Sequence, residues 1–270
     1  MFIARLTIPL LLLVSGAACA QTPATPATAA AEPLCLDAGP QTPRDIASAY
    51  GSNKVLFPTA PPAHEMSLCN IHTHTNAEHK GPGFSVAAVN SEQGGYQCNA
   101  TSSLTEAELA PAPGAYKNVA PGDTIEVHWV HTTCDVEPGP GLGSCVPESC
   151  ESPLLRVETQ VFLVVNDPNA LDFTAMAYGG YKNAAGQPQA RAIPGSTGKA
   201  IEFPGSTTGP SYNQSTCSPA QVTWSVRPQC ARLDIQSLHR WAEQGNVFEE
   251  TKSHGVRALV TAPELLAPIR

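Results

Sequence analysis

Three histidines in two short segments have the spacing of a metal site. His72 and His74 are two residues apart, and His128 follows Glu126 at the same spacing in a second segment. Both segments alternate in the manner of β-strands, on which residues two apart point to the same face. The three imidazoles can therefore converge on one ion. Three protein ligands with an open fourth position are typical of a catalytic Zn²⁺ rather than a structural one.

The elements that must position these histidines are mainly strands and loops. With 21 glycines and 26 prolines, the chain is interrupted too often for long helices. A helix is predicted over 232–244, ended by Gly245, and a short helical turn over 45–50. The predicted strands are 67–75, 124–132, 154–165 and 222–226. The fold class is therefore mainly β with short helices.

The first twenty residues have the pattern of a secretory signal peptide. Arg5 gives a positive start, residues 8–14 form a short apolar core, and small residues end the segment. We predict cleavage before Gln21 and export to the periplasm or the exterior. The alternative interpretation is a lipoprotein, with a lipid anchor on Cys19.

The remaining chain divides into a linker and one domain. Residues 21–33 are almost all Ala, Thr and Pro, so they are predicted to be an extended linker, and 34–270 to be a single domain. No later stretch approaches the roughly 20 apolar residues of a membrane helix. The formal charge of −8 becomes −9 without Arg5, and there is no Lys/Arg run. We therefore expect a small-molecule substrate and neither nucleic acid nor an anionic membrane surface as partner. The pattern assigns no oligomeric state.

The cysteines agree with export. The chain has nine, and eight remain without Cys19. An even number in an oxidising compartment predicts up to four disulfides, whose connectivity the sequence leaves open. Cys145 and Cys150 are neighbours in a Gly/Pro-rich loop that suits a local staple. No Cys-x-x-Cys pair is present, which argues against a zinc ribbon.

Three segments carry a family resemblance. Residues 69–79, Cys-Asn-Ile-His-Thr-His-Thr-Asn-Ala-Glu-His, resemble the metal segment of delta-class carbonic anhydrases. Residues 126–131, Glu-Val-His-Trp-Val-His, resemble the alpha-class segment with the third zinc histidine. Residues 204–210, followed by Trp224, are similar to the alpha-class strand and loop that contain a threonine beside the zinc-bound hydroxide. The resemblance implies an alpha-carbonic-anhydrase-like twisted, mostly antiparallel sheet, with the histidines at the floor of a conical cleft.

The resemblance also implies the reaction and the roles of its residues. His72, His74 and His128 would be zinc ligands, and Glu126 would accept a proton from a ligand imidazole, which orients the ring and raises its basicity. Zinc lowers the pKa of bound water to about 7, a value established for carbonic anhydrases, so that hydroxide is available to attack CO₂. The implied function is zinc-dependent, reversible hydration of CO₂ to bicarbonate.

Two further roles follow from the resemblance. A threonine would accept a hydrogen bond from zinc-bound hydroxide while donating its own hydroxyl hydrogen to Glu78. The alignment favours Thr207, and Thr208 is the alternative because this segment is one residue shorter than the alpha-class pattern. A histidine with a pKa near neutral would carry the released proton to solvent. The candidates for this shuttle are His64, His79 and His131.

Two other functions fit parts of the pattern. His72, His74 and Glu78 have the spacing of the first cupin motif, which would make the protein an Fe or Mn enzyme with Glu78 as a direct ligand. That interpretation leaves residues 204–224 unexplained. Residues 121–127 resemble a cupredoxin strand, which suggests a periplasmic copper-binding protein without enzymatic activity. A blue-copper site needs a free Cys ligand, and the cysteines here are expected to be paired.

Overall fold

The structure is a computed structural model that describes residues 33–89 and 94–270. The predicted signal peptide and nearly all of the predicted linker lie outside these ranges. Its strands are β1 (Ser67–Thr75), β2 (Val86–Ala87), β3 (Tyr96–Gln97), β4 (Thr124–Thr132), β5 (Leu155–Val165), β6 (Ile201–Ser206), β7 (Gln221–Val226) and β8 (Ala231–Asp234). The α-helix is α1 (Ile235–Glu243). Short 3-10 helices span Ala63–Glu65, Thr101–Ser103, Leu142–Cys145, Phe173–Ala175 and Pro263–Leu265.

Six strands form one mixed sheet, and β2 and β3 form a separate hairpin. The order in the large sheet is β1-β4-β5-β7-β6, and β8 also pairs with β5. The pairs β1/β4, β4/β5 and β6/β7 are antiparallel, whereas β7 and β8 run parallel to β5. β7 pairs with residues 156–159 of β5 and β8 with residues 162–165, so the two follow each other along one edge of β5. The predicted β-rich fold class is confirmed.

Alternation along β4 and β5 separates two apolar clusters on the two faces of the sheet. Val130 packs in one cluster, together with Val161 of β5, and Trp129 packs in the other with Phe162. Helix α1 contributes Leu238 and other apolar side chains to the cluster that contains Trp129. His128 has the parity of Val130, so it lies on the face opposite the helix.

The predicted strands are confirmed, and the helix is shorter than predicted. β1 and β4 have the predicted bounds, and β5 and β7 differ from theirs by one residue. The predicted start of the helix at Arg232 is wrong, because residues 231–234 form strand β8 along β5. Asp234 ends this strand and caps the helix, its side chain accepting a hydrogen bond from the backbone N–H of Gln236. Residues 45–50 form a turn and no helix.

Four disulfides connect the described part of the chain, as the cysteine count predicts. They join Cys35 to Cys217, Cys69 to Cys145, Cys98 to Cys230 and Cys134 to Cys150. The proposed local staple between Cys145 and Cys150 is wrong, because each pairs with a cysteine nearer the N-terminus. Four disulfides indicate an oxidising compartment.

No helix within residues 33–89 and 94–270 has the length and apolar character needed to cross a membrane.

Candidate metal centre

Two adjacent strands bring the three histidines together. His72 on β1 lies directly opposite His128 on β4, and His74 lies opposite Glu126. The ring centroids of His72 and His128 are 4.9 Å apart, and those of His74 and His128 are 4.7 Å apart. Residues two apart share a face and cross-strand partners are neighbours, so the strand register alone assembles this cluster.

Each of these histidines uses one ring nitrogen in a hydrogen bond to an oxygen. His72 Nδ1 donates to Asn70 Oδ1 at 2.8 Å, and His74 Nδ1 donates to the Gly255 carbonyl at 3.2 Å. His128 Nε2 donates to Glu126 Oε1 at 2.7 Å. These acceptors fix the ring orientations and place the lone pair of each imidazole on its other nitrogen.

The nitrogens that remain are Nε2 of His72, Nε2 of His74 and Nδ1 of His128. His72 Nε2 and His128 Nδ1 lie 3.1 Å apart, and one ring nitrogen of each of the three histidines lies within 4.8 Å of the others. Three imidazole nitrogens this close together fit Zn²⁺ in number and in kind. This donor set carries no Glu78 oxygen, although Glu78 Oε1 lies 2.9 Å from His74 Nε2.

A second group of neighbouring ligand atoms comprises His79, Glu126 and His128. In this group Glu126 Oε1 accepts from both His128 Nε2 and His79 Nδ1, each at 2.7 Å. Glu126 Oε2 also accepts from the backbone N–H of His79 at 3.1 Å. The group is therefore a hydrogen-bonded network centred on one buried carboxylate, and it supports the ring of His128.

The buried setting keeps two of the histidines neutral. Burial, reinforced by the other imidazoles, lowers the pKa of His72 well below its ordinary value. Burial likewise lowers the pKa of His128, although the Glu126 carboxylate opposes the shift. Burial also acts on His74, but the adjacent Glu78 carboxylate outweighs it and the pKa of His74 is raised. His72 and His128 thus offer unprotonated nitrogens at neutral pH.

The two carboxylates of the site stay ionised despite their burial. Burial raises the pKa of Glu126, yet the imidazoles of His79 and His128 hold it well below its ordinary value. Burial also raises the pKa of Glu78, but the adjacent His74 outweighs burial, so the pKa of Glu78 is lowered. Both side chains therefore carry negative charge beside the position that a cation would occupy.

The hydrogen bond expected between Thr207 and Glu78 is made by Thr208 instead. Thr208 Oγ1 donates to Glu78 Oε1 at 3.0 Å, and both threonines line the cavity above the histidines. Thr207 Oγ1 lies 2.6 Å from Ser218 Oγ, and Glu78 Oε2 accepts from the backbone N–H of Arg257 at 3.4 Å. The bond to Glu78 is therefore made by Thr208, the alternative that the sequence left open.

A cavity of about 280 Å³ lies over the three histidines. Its lining combines two kinds of side chain. The apolar ones are Val130, Leu142, Leu155, Val157, Val222 and Trp224. The polar ones include Asn70, Thr207, Thr208, Glu250, His254 and Arg257. The cavity therefore offers both apolar contacts and hydrogen-bonding groups to a small molecule.

The three candidate shuttle histidines do not lie at this cavity. His64 is in the 3-10 helix Ala63–Glu65, its side chain is 78% exposed, and it does not line the cavity. His79 and His131 are fully buried. A different histidine, His254, does line the cavity, and its side chain is 47% exposed. Its ring centroid lies 4.6 Å from that of His74. No local motif marks this position, because it reaches the site from a distant part of the chain.

A comparison with protein families identifies the class to which this sheet and histidine site belong. The family model of delta carbonic anhydrases matches residues 63–237, well over half of the chain. The chain therefore belongs to the delta carbonic anhydrase family, whose members are enzymes that hydrate CO₂. The matched range contains every strand of the large sheet, all three histidines and Thr208.

Two solved structures are also similar to this chain, each at 16% identity. One is a hyperthermostable carbonic anhydrase from an active hydrothermal vent chimney, with 85% of this chain and 86% of that chain covered and a TM-score of 0.28. The other is the alpha-carbonic anhydrase from Thermovibrio ammonificans with the inhibitor sulfanilamide, with 81% and 84% covered and a TM-score of 0.27. No curated protein sequence matches this chain.

Proposed function

We propose that this enzyme is zinc-dependent and that it interconverts CO₂ and bicarbonate at the floor of the cavity. The observation that carries the proposal is the convergence of three imidazole nitrogens, each opposite a ring nitrogen already bonded to an oxygen. When bound by His72, His74 and His128, zinc would lower the pKa of water to about 7, as established for carbonic anhydrases, and so supply hydroxide at neutral pH.

Glu126 serves the site through His128. Its carboxylate accepts the Nε2 proton of His128, which fixes the tautomer that leaves Nδ1 free. A carboxylate in this place also makes the imidazole a more basic ligand. The N–H groups of His79 hold Glu126 from the other side, so the carboxylate cannot rotate away from His128.

Thr208 is the proposed gate of the reaction. Because its hydroxyl hydrogen is committed to Glu78, its oxygen can act only as an acceptor toward the cavity. An oxygen nucleophile can then form a hydrogen bond with Thr208 only by donating its own hydrogen. A lone pair of that nucleophile then points away from Thr208. Val130, Val157 and Trp224, which are neighbours across three strands and line the cavity, are the apolar side chains against which CO₂ would be held in line with that lone pair.

The cupin and copper interpretations gain no support from the geometry. A cupin site would use Glu78 as a fourth protein ligand, but Glu78 is engaged by Thr208 and by the backbone of Arg257. A blue-copper site needs a thiolate, and the eight cysteines of the described ranges are all in disulfides. Zinc with three histidines accounts for both the donors and the gate.

The assignment is tested by stopped-flow CO₂ hydration on the oxidised, zinc-loaded protein, with His74→Ala as the matched variant. We expect rapid hydration by the wild type alone and one zinc per chain, because His74 supplies one of only three ligands. His239→Ala is the control, since His239 bonds Ala112 and Tyr116 away from the cavity. A His74→Ala protein that binds stoichiometric zinc and keeps the full rate would refute the ligand assignment.

We further propose the organisation of the chain. Residues 1–20 are a signal peptide, 21–33 a linker, and 34–270 one catalytic domain. The four disulfides support export to the periplasm or the exterior. Mass spectrometry of the exported protein would distinguish a chain that begins at Gln21 from one that carries a lipid on Cys19.

A further inference from the structure

The loop over residues 138–145 approaches the metal centre from outside the sheet. Its residues Gly141 and Leu142 line the cavity, and its last residue, Cys145, is bonded to Cys69 on β1. Cys69 and Cys145 are both fully buried. The loop is therefore attached covalently to the strand that carries two of the three zinc histidines.

A β-bulge at Cys69 makes this attachment possible. The pairing of β1 with β4 shifts register between Leu68 and Asn70. In a regular strand Cys69 and Ile71 would share a face, but Cys69 packs with the cavity-side cluster and Ile71 with the cluster on the helix side. The bulge thus turns both Cys69 and Asn70 toward the cavity, where one bonds the loop and the other bonds His72.

A continuous set of hydrogen bonds runs from this loop to a zinc ligand. The backbone N–H of Gly139 donates to the Cys69 carbonyl at 3.0 Å, and Asn70 Nδ2 donates to the Gly139 carbonyl at 3.0 Å. The other end of the same amide, Asn70 Oδ1, accepts from His72 Nδ1 at 2.8 Å. The loop thereby fixes the amide plane of Asn70, and the amide fixes the ring of His72.

We propose that the Cys69–Cys145 disulfide and Gly139 form a brace that raises the zinc affinity of the site by holding Asn70 against His72. This inference rests on the proposed zinc site. Asn70 is a positioning residue in this scheme, and the disulfide acts through it. Opening this one disulfide would weaken zinc binding although no ligand is changed.

The test measures the zinc dissociation constant by competition with a chromogenic chelator in four proteins: the wild type, Asn70→Ala, the double variant Cys69→Ala/Cys145→Ala, and their combination. Alanine suits both cysteines because they are buried among apolar side chains. We expect Asn70→Ala and the double cysteine variant each to weaken zinc binding by about 10-fold or more. The combination should be no weaker than Asn70→Ala alone, since both act on the same hydrogen bond.

Cys134→Ala/Cys150→Ala is the matched control, because that disulfide closes the same region without contacting Asn70. It should retain wild-type affinity. The brace is refuted if Asn70→Ala binds zinc as the wild type does, if both disulfide removals weaken zinc equally, or if the effects of Asn70→Ala and the Cys69/Cys145 pair simply add. A wild type that takes up no zinc would instead overturn the proposed function.

A second measurement needs no cysteine variant, so it stands even if the double variant fails to fold. If the loop stabilises the zinc-bound site, zinc must stabilise the loop by the same free energy. Amide hydrogen exchange at residues 139–145 should therefore slow when zinc is added to the chelated wild type, and this slowing should disappear in Asn70→Ala. Equal exchange with and without zinc would refute the brace.

Discussion

Thr207 and Thr208 are adjacent hydroxyl residues with different partners. Thr208 bonds the buried Glu78 carboxylate, whereas Thr207 bonds Ser218. Both line the cavity, so exposure to substrate does not distinguish them. The difference lies in the partner: a carboxylate can only accept, whereas a serine hydroxyl can donate or accept. Only Thr208 therefore has its donor role settled by its neighbour.

We predict that Thr208→Val lowers kcat/KM for CO₂ hydration by roughly 100-fold, the effect of losing one oriented hydrogen bond in an active site. Zinc content should stay at one per chain, because no ligand is touched. Thr207→Val is the paired variant and should keep most of the activity. Stopped-flow assays on both proteins decide the matter, and a larger loss in Thr207→Val would return the gate to Thr207.

At this scale the sequence predicts what lies within a few residues along one strand. His72, His74 and Glu126 follow from alternation, and His128 from the same rule on the next strand. The Gly255 carbonyl and His254 could not be predicted, because they reach His74 from a loop more than 170 residues away. The choice between Thr207 and Thr208 required the actual path of the loop.

The antiparallel strands β4 and β5 lie in the middle of the large sheet and carry buried ionisable side chains. His131 on β4 lies opposite Arg156 on β5. Its Nδ1 donates to the Trp129 carbonyl at 3.1 Å, and its Nε2 has no hydrogen-bond partner among the described residues. Burial lowers the pKa of His131 from 6.5 to about 4, despite the nearby Glu158 carboxylate.

This shift predicts a loss of stability on the acid side. Between pH 6.5 and pH 4 the unfolded chain protonates His131 and the folded chain does not, so the free energy of unfolding falls as the pH falls, by up to about 1.4 kcal/mol per pH unit. His131→Gln removes this contribution. We expect the variant to lose less stability than the wild type between pH 7 and pH 5, measured by urea unfolding of the metal-free proteins. Parallel losses in the two proteins would contradict the shift.

Four strands, β1, β4, β5 and β7, were predictable, whereas β2, β3, β6, β8 and the start of α1 were not, and residues 45–50 are not helical. The predicted strands have clear alternation, and Gly245, with a φ of +67°, stands just after the helix where a stop was expected. The start of the helix was misplaced because Arg232 and Leu233 fit helical spacing equally well. Tertiary pairing with β5 decides that they form β8, and a local pattern does not contain that information.

At the scale of the whole molecule, three of the four disulfides in the described ranges connect segments that are remote in the sequence. Cys35 and Cys217 are separated by 182 residues, and they lie beside a small apolar cluster of Val260, Leu265 and Leu266. A disulfide between such distant residues mainly restricts the unfolded chain. The number of bonds followed from the cysteine count, but their connectivity depends on the three-dimensional path.

We predict that Cys35→Ala/Cys217→Ala lowers the free energy of unfolding by about 2–5 kcal/mol. Neither cysteine lines the cavity that contains the three histidines, so the zinc affinity of the folded variant should match that of the wild type. Urea unfolding and chelator competition on the same sample separate the two quantities. A variant of unchanged stability, or one with weakened zinc binding, would show that this bond does something other than restrict the unfolded chain.

The hydrogen bond from His74 to Gly255 makes the proposed metal site depend on residues that are far from its ligands in the sequence. The three histidines of that site lie within residues 72–128, but the carbonyl that orients His74 belongs to Gly255, and the amide that holds Glu78 belongs to Arg257. A chain cut before residue 255 would contain every proposed ligand and still leave one ring and one carboxylate without these partners. Retention of zinc would therefore report whether the segment 255–257 is present, because chains without it would release the metal more readily.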